Sequence, residues 1–375
     1  MRKTALIVCL LAAVPLGDGA LAAAPVSAAP SATTVGVSAG YSIFGDSDAA
    51  LARDLDTAKA AGVTWLRMDI DWSSIQGSGS GSFDWFNTDR VVNAARARGM
   101  EVDGIVDYTP GWASTGGGIH PVPRDNNEFA TFAGQAAARY AGAISTWEVW
   151  NEPNLQTFWG DGASAAAYTA LLKATYPKIK AAAPNATVLS GGLAPATTGG
   201  GDIAPESFVA QIYAYGGRNF LDAVAVHPYS YPALPSDAST ASWNTAQKLT
   251  GIHNTMVNNG DGVKKVWLTG FGAPTGLGAP NVSEQQQANI IADGLSYFAS
   301  LGFTGPVFVY NIRDSRTGST DPEQNFGLVR TDWSAKPAYT TVQQRANPTP
   351  PVVTPPVVTD WWAWVLGLLR QWFNF

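Results

Sequence analysis

Residues 147–154 read Trp147-Glu148-Val149-Trp150-Asn151-Glu152-Pro153-Asn154. This is an apolar, aromatic strand that ends by presenting an Asn-Glu pair just before a proline. A strand releasing a carboxylate at its C-terminal tip suits general acid/base chemistry on the top face of an α/β barrel. Glu148 lies an even number of residues before Glu152, so alternation points both the same way, with Glu148 deeper. Glu148 therefore reads as a buried partner for Arg67, a side chain that would otherwise be an awkward buried charge.

Working outward, short apolar runs alternate with amphipathic segments. The strand candidates are Val35 to Ser38, Trp65 to Asp69, Val102 to Asp107, Thr146 to Trp150, Thr187 to Gly191, Ala223 to His227, Lys265 to Thr269 and Val307 to Tyr310. Helical patterns lie between them at Ala49 to Ala61, Asp89 to Arg98, Phe129 to Tyr140, Ala165 to Ala183 and Glu284 to Ala299, with Asp48, Thr88, Ser164 and Ser283 placed as N-caps. This order gives an α/β fold with a parallel sheet, either a (β/α)8 TIM barrel or a doubly wound sheet. A barrel of ~250 residues nearly fills a chain of 375.

Arg2 and Lys3, the apolar run Thr4 to Leu16 and Ala20-Leu21-Ala22 read as a cleavable signal peptide, with a second cleavage point after Ala28. The expected organisation is a signal over 1–28, a barrel over 29–345, a Pro-rich linker over 346–359 and a C-terminal helix over 360–375. Export makes the protein secreted or extracellular, with cell-envelope association through that helix as an added expectation. The only cysteine, Cys9, lies in the signal, so no disulfide supports the exported chain. Losing Arg2, Lys3 and Asp18 moves the net charge from −6 to −7. An acidic, lysine-poor chain binds polyanions weakly, which sets nucleic acid aside.

The linker contains Pro-Pro-Val-Val-Thr twice, a polyproline-type spacer. In the terminal helix Ala363, Gly367, Arg370, Gln371 and Asn374 share one narrow face, opposite Trp361, Trp364, Val365, Leu368, Trp372 and Phe375. It is too short to span a bilayer and fits an interfacial helix; docking on the barrel or on a partner chain fits equally.

The Trp-Asn-Glu-Pro strand closely resembles the acid/base strand of retaining glycoside hydrolases of the large (β/α)8 clan, including cellulase-like family 5 and xylosidase-like family 39. The resemblance covers about Val35 to Gln344 and favours the barrel over the doubly wound sheet. It implies Glu152 as acid/base, Asn151 as the ligand of a sugar 2-hydroxyl, and Arg67, His227 and Tyr229 as neighbours of a strand-seven nucleophile. In Val266-Trp267-Leu268-Thr269-Gly270-Phe271 that nucleophile position is Gly270. Asn325-Phe326-Gly327-Leu328-Val329 and Lys336-Pro337-Ala338-Tyr339 resemble the loop after strand eight and the start of the last helix.

Retention needs two carboxyl groups ~5–5.5 Å apart, and glycine supplies none. Three readings stay open: a glycan-binding copy without turnover; a substitute acid among Asp69, Asp71, Asp107 and Asp314; or a recent Glu-to-Gly change. The implied partner is a polysaccharide or oligosaccharide, with Tyr108, Trp112, Trp159 and Tyr310 as candidate stacking walls and Trp333 as a weaker one. The loops Ile119 to Asn127 and Tyr229 to Ser242 would set the sugar and the cleavage mode. No cofactor is called for. His120, His227 and His253 are too scattered for a metal site, and the glycine clusters 116–118 and 199–201 lack a following Lys-Ser/Thr.

Overall fold

The computed structural model describes residues 34–347. The expected signal peptide, most of the spacer and the C-terminal helix lie outside the described residues.

Eight parallel strands form one sheet: β1 Val35–Ser38, β2 Trp65–Asp71, β3 Glu101–Asp107, β4 Thr146–Asn151, β5 Thr187–Gly192, β6 Val224–Val226, β7 Val266–Phe271 and β8 Thr304–Tyr310. Sequence neighbours pair from β1 to β5 and from β6 to β8, and β1 pairs with β8. Parallel bridges Leu189–Ala223 and Leu193–Val226 join β5 to β6, so the ring closes. The fold is a (β/α)8 barrel.

Helices connect the strands: α1 Asp48–Ala60, α2 Trp72–Ile75, α3 Phe86–Ala97, α4 Asn126–Arg139, α5 Ala165–Ala182, α6 Pro205–Ala214, α7 Leu249–Asn258, α8 Glu284–Ser300 and α9 Pro337–Ala346. The α8 start is a capping box: the Ser283 hydroxyl accepts from the Gln286 N–H while the Gln286 side chain accepts from the Ser283 N–H. Ser164 caps α5 as expected. At α1 the cap is Ser47, with Asp48 in the first turn. At α3 the expected cap fails: the helix begins at Phe86, and Thr88 is buried inside it. Helices α6 and α7 were not among the sequence candidates.

Alternation in β2 shows how the barrel is filled. Leu66, Met68 and Ile70 are fully buried among the apolar core, while Arg67 reaches Glu148 on β4 and Ser38 on β1. Two departures from alternation matter for the site. Trp150 adopts φ +73° and packs edge-on against Trp159, so Asn151 and Glu152 both face inward. Simple alternation across Glu148–Glu152 does not hold. In β7 the pairing jumps from Leu268–Val307 to Phe271–Val309, a bulge that fits three residues against two. Thr269 then reaches Glu148, Gly270 lines the cleft, and Phe271 packs on Phe298 of α8.

Toward the N-terminal end of the barrel Trp65, Trp267 and Phe308 pack as a trio, with Trp65 5.5 Å from Trp267 and 6.2 Å from Phe308. Gly36 opposite them leaves no room: a Cβ there would overlap the Phe308 ring and reach within 3.0 Å of Trp65 Cβ. Gly36→Ala should therefore cost about 1–3 kcal/mol by overpacking and lower the calorimetric Tm by a few degrees.

Candidate active site

The barrel floor is built around one cation. Arg67 Nε donates to Glu148 Oε1 at 2.6 Å and Nη2 to Oε2 at 3.2 Å. Glu148 Oε2 also accepts the Gly192 N–H at 2.9 Å and the Thr269 hydroxyl at 3.4 Å. Burial opposes the Arg67 charge, yet Glu148, Asp103 and Asp69 together hold its pKa above the ordinary arginine value.

More carboxyls surround this guanidinium than it can neutralise. Asp103 and Asp107 are fully buried and make no ion pair among the described residues. Burial raises both well above the usual carboxylate range; Glu148 repels Asp103, and Asp69 and Asp71 repel Asp107. Both are thereby pushed toward the protonated form. Asp69, higher on β2, is pushed up to about 7 by burial and by Asp71 and Glu148, against the pull of Arg67.

Above this floor a cavity of about 650 Å³ opens at the strand tips. It is lined by Arg67, Asp69, Tyr108, Asn151, Glu152, His227, Tyr229, Gly270 and Tyr310, residues drawn from six strands or the loops just beyond them. Asn151 Oδ1 accepts from Arg67 Nη2 at 3.1 Å, and its amide donates to the Tyr108 hydroxyl at 3.4 Å. Glu152 Oε1 lies 2.7 Å from His227 Nδ1, one proton holding the pair, and Oε2 has no partner among the described residues. Positive φ recurs here, at Tyr108 (+50°), Trp150 (+73°) and Glu152 (+49°). Non-glycine residues in this region cost of order 1–3 kcal/mol each, and such strain gathers where geometry serves a site.

His227 Nε2 is buried without a partner. The ring lies over β5 and β7: a Cβ on Gly192 would overlap it, and one on Gly270 would sit 2.9 Å from His227 Cδ2. The Gly270 backbone is outside the left-handed region, so its conformation does not demand glycine. What a side chain at 270 requires is that the His227 ring move.

Several expected residues lie elsewhere. Trp112 donates its indole N–H to Gln76 O at 2.7 Å and packs on Trp72, away from the cleft. Trp159 is 4% exposed, wedged between Trp150 and Tyr168. Trp333 is held between Arg53 and Arg313. Among the proposed substitute acids, Asp71 caps α2, Asp107 is fully buried at the end of β3, and Asp314 is buried against Lys336 Nζ at 2.7 Å. Asp69 alone of the four lines the cavity.

The cavity also contains residues that sequence reasoning passed over: Tyr41, Phe158, Tyr231, Trp243, Glu323 and Phe326. Tyr41 is 65% exposed and Trp243 49%, large aromatic faces at the rim. Phe326 stood inside the quoted loop after strand eight, and Trp243 directly follows the span 229–242. His120, read as scattered, stacks 4.1 Å from Tyr108 and 5.1 Å from Phe158. Among the described residues no group of three or more His, Cys, Asp or Glu is disposed to hold a metal.

A family described as cellulase, glycosyl hydrolase family 5, matches residues 29–308. The chain belongs to that family. Solved barrels of similar shape include a family 39 glycoside hydrolase from the gut symbiont Bacteroides cellulosilyticus WH2, 23% identical with TM-score 0.68, covering 84% of this chain and 63% of that one. A family 5, subfamily 18 enzyme from Streptomyces cattleya, in complex with Manβ1-4GlcNAc, is 19% identical with TM-score 0.66, covering 85% and 82%. A monomeric β-xylosidase from Caulobacter crescentus CB15 is 16% identical with TM-score 0.62, covering 83% and 67%. The chain thus spans less than two thirds of the Bacteroides protein's length. No curated protein sequence matches it.

The raised pKa values of Asp103 and Asp107 make stability depend on pH with a definite sign. An acid whose folded pKa is raised binds more protons folded than unfolded, so stability is full below pH ~4 and falls as pH rises through the folded value. Asp103→Asn and Asp107→Asn keep the neutral shape and remove that loss. Each variant should gain on wild type by about 1.4 kcal/mol for every tenfold by which folding had tightened the proton's hold on that acid. Thermal melts should show the gain growing as pH rises above ~4, and a gain independent of pH would contradict raised pKa values in the folded state.

Proposed function

We propose that this chain is an exported O-glycosyl hydrolase acting on an extracellular or cell-envelope polysaccharide, with Glu152 as general acid. The observation that carries the reading is Glu152 itself: a carboxyl on a strained strand tip, held by His227 at 2.7 Å, with a second oxygen unpartnered inside an aromatic-lined cavity. Family 5 membership and a structural neighbour holding Manβ1-4GlcNAc support it. Export rests on the Arg2-Lys3 and Thr4–Leu16 segment of the sequence.

Exposed Tyr41 and Trp243 suit sugar rings, whose C–H faces lie flat on aromatic surfaces. Arg67 and Asn151 would then anchor hydroxyls at the centre of the cleft. A second reading, glycan binding without turnover, is favoured by the closed space at Gly270, where the His227 ring occupies the room a nucleophile's side chain would need.

A hydrolysis assay of the native chain, Glu152→Gln and Gly270→Glu on cello-, xylo- and manno-oligosaccharides separates the two. The hydrolase reading expects native turnover that Glu152→Gln lowers by ~10²–10⁴-fold with binding kept. Binding in all three with turnover in none, or in Gly270→Glu alone, establishes the second reading for the native chain. Trp243→Ala should weaken oligosaccharide binding about fivefold, the loss of ~1 kcal/mol of stacking, as read by calorimetry.

A further inference from the structure

We propose that the glycan this cleft takes carries free amines, and that Asp69 binds the ammonium of a 2-amino-2-deoxy sugar unit. The proposal rests on the cleft being a glycan site, as both readings above have it.

Three observations carry it. The first is the state of the one cation present. Arg67 is the only lysine or arginine that lines the cleft. Four of its five N–H groups are already taken, two by Glu148, one by Ser38 Oγ at 3.0 Å and one by Asn151 Oδ1 at 3.1 Å. No two-pronged edge is left for a sugar carboxylate, so the cleft is poorly made for uronic acids. Three carboxyls line the same space: Asp69, Glu152 and Glu323.

The second is Asp69 itself. It lines the cleft yet forms no hydrogen bond or ion pair with a described residue. Burial, with repulsion from Asp71 and Glu148, pushes it up to about 7 against the pull of Arg67. Such a carboxyl takes a proton for want of a cation. A sugar ammonium supplies the missing charge, together with three N–H donors, in the place of that proton.

The third is a hollow of about 70 Å³ beside the cleft, small enough to suit an amine rather than a ring. Tyr41 and Asp69 line both spaces. The hollow's other acids are Asp71 and Asp84, and no lysine or arginine lines it. Asp71 accepts only from the backbone and hydroxyl groups of Ser73 and Ser74, and Asp84 accepts the Phe86 N–H at 3.0 Å. Those donors are neutral, so the carboxylates still attract a cation. Tyr41 adds the negative face of an exposed ring. A neutral glucan leaves this charge unanswered, whereas a glucosamine unit places its ring against the aromatic walls and its amine at Asp69.

Calorimetry on the full-length chain near neutral pH tests this with four ligands: a glucosamine trisaccharide, its N-acetylated form, cellotriose and an oligouronide. The glucosamine form should bind at least about tenfold tighter than the other three, as one charge-assisted hydrogen bond provides. Asp69→Asn, its fold checked by circular dichroism, should bring the ratio between the glucosamine and N-acetylated forms close to one. Trp243→Ala should weaken both forms alike and keep the ratio. Should Asp69→Asn fail to fold, exposed Asp84→Asn probes the same hollow; a reduced ratio supports the proposal and an unchanged one overturns it. Equal native affinity for charged and neutral trisaccharides overturns it and leaves the glycan reading standing. So does a preference that survives Asp69→Asn, which would then belong to the general acidity of the chain. Tighter binding of the oligouronide overturns it as well. No binding of any saccharide overturns this proposal and the glycan reading together.

Discussion

The ion pair between Arg67 and Glu148 is the constraint on which the barrel's centre depends. Through it and the bonds that converge on it, β1, β2, β4, β5 and β7 are tied across the lumen by side chains from Ser38, Arg67, Glu148 and Thr269 and the Gly192 N–H. Such a pair is dear to bury, and removing one partner leaves an uncompensated charge that costs ~3–5 kcal/mol. Here burial and mutual repulsion push the surplus carboxyls around it toward the protonated form. The same guanidinium extends one more bond to Asn151, so the floor that closes the barrel also fixes the residue next to Glu152.

The positions of the strands were legible in the sequence because parallel barrel strands are short apolar runs separated by helical periodicity. The Arg67–Glu148 pairing was legible too, from strand alternation together with the need to neutralise a buried arginine. Their ends were harder to read. Gly270 falls inside β7 only because a bulge lengthens the strand, and Trp150 faces outward only because its backbone turns left-handed. Neither departure has a period. Trp112 and Trp159 misled for a related reason: a tryptophan near a strand tip can face the lumen or the helix layer, and one residue of twist decides which.

The parts of the cleft that escaped the sequence reading come from loops. Tyr41, Trp243 and Glu323 stand on segments with no periodicity, brought together only by closure of the ring. Membership in family 5 fixes the kind of scaffold, but a family match speaks about the strands that carry its motifs, and these residues stand beside those motifs or beyond the matched span.

The bulge at Thr269–Gly270 also divides labour within one strand. Residue 269 belongs to the floor's hydrogen bonds and residue 271 to the helix layer, while 270 belongs to neither. A protein that loses a side chain at 270 gives up nothing that holds it together, so purification, melting and expression would not register the change. The asymmetry runs one way: a side chain can be lost here without disturbing the fold, whereas regaining one displaces the His227 ring.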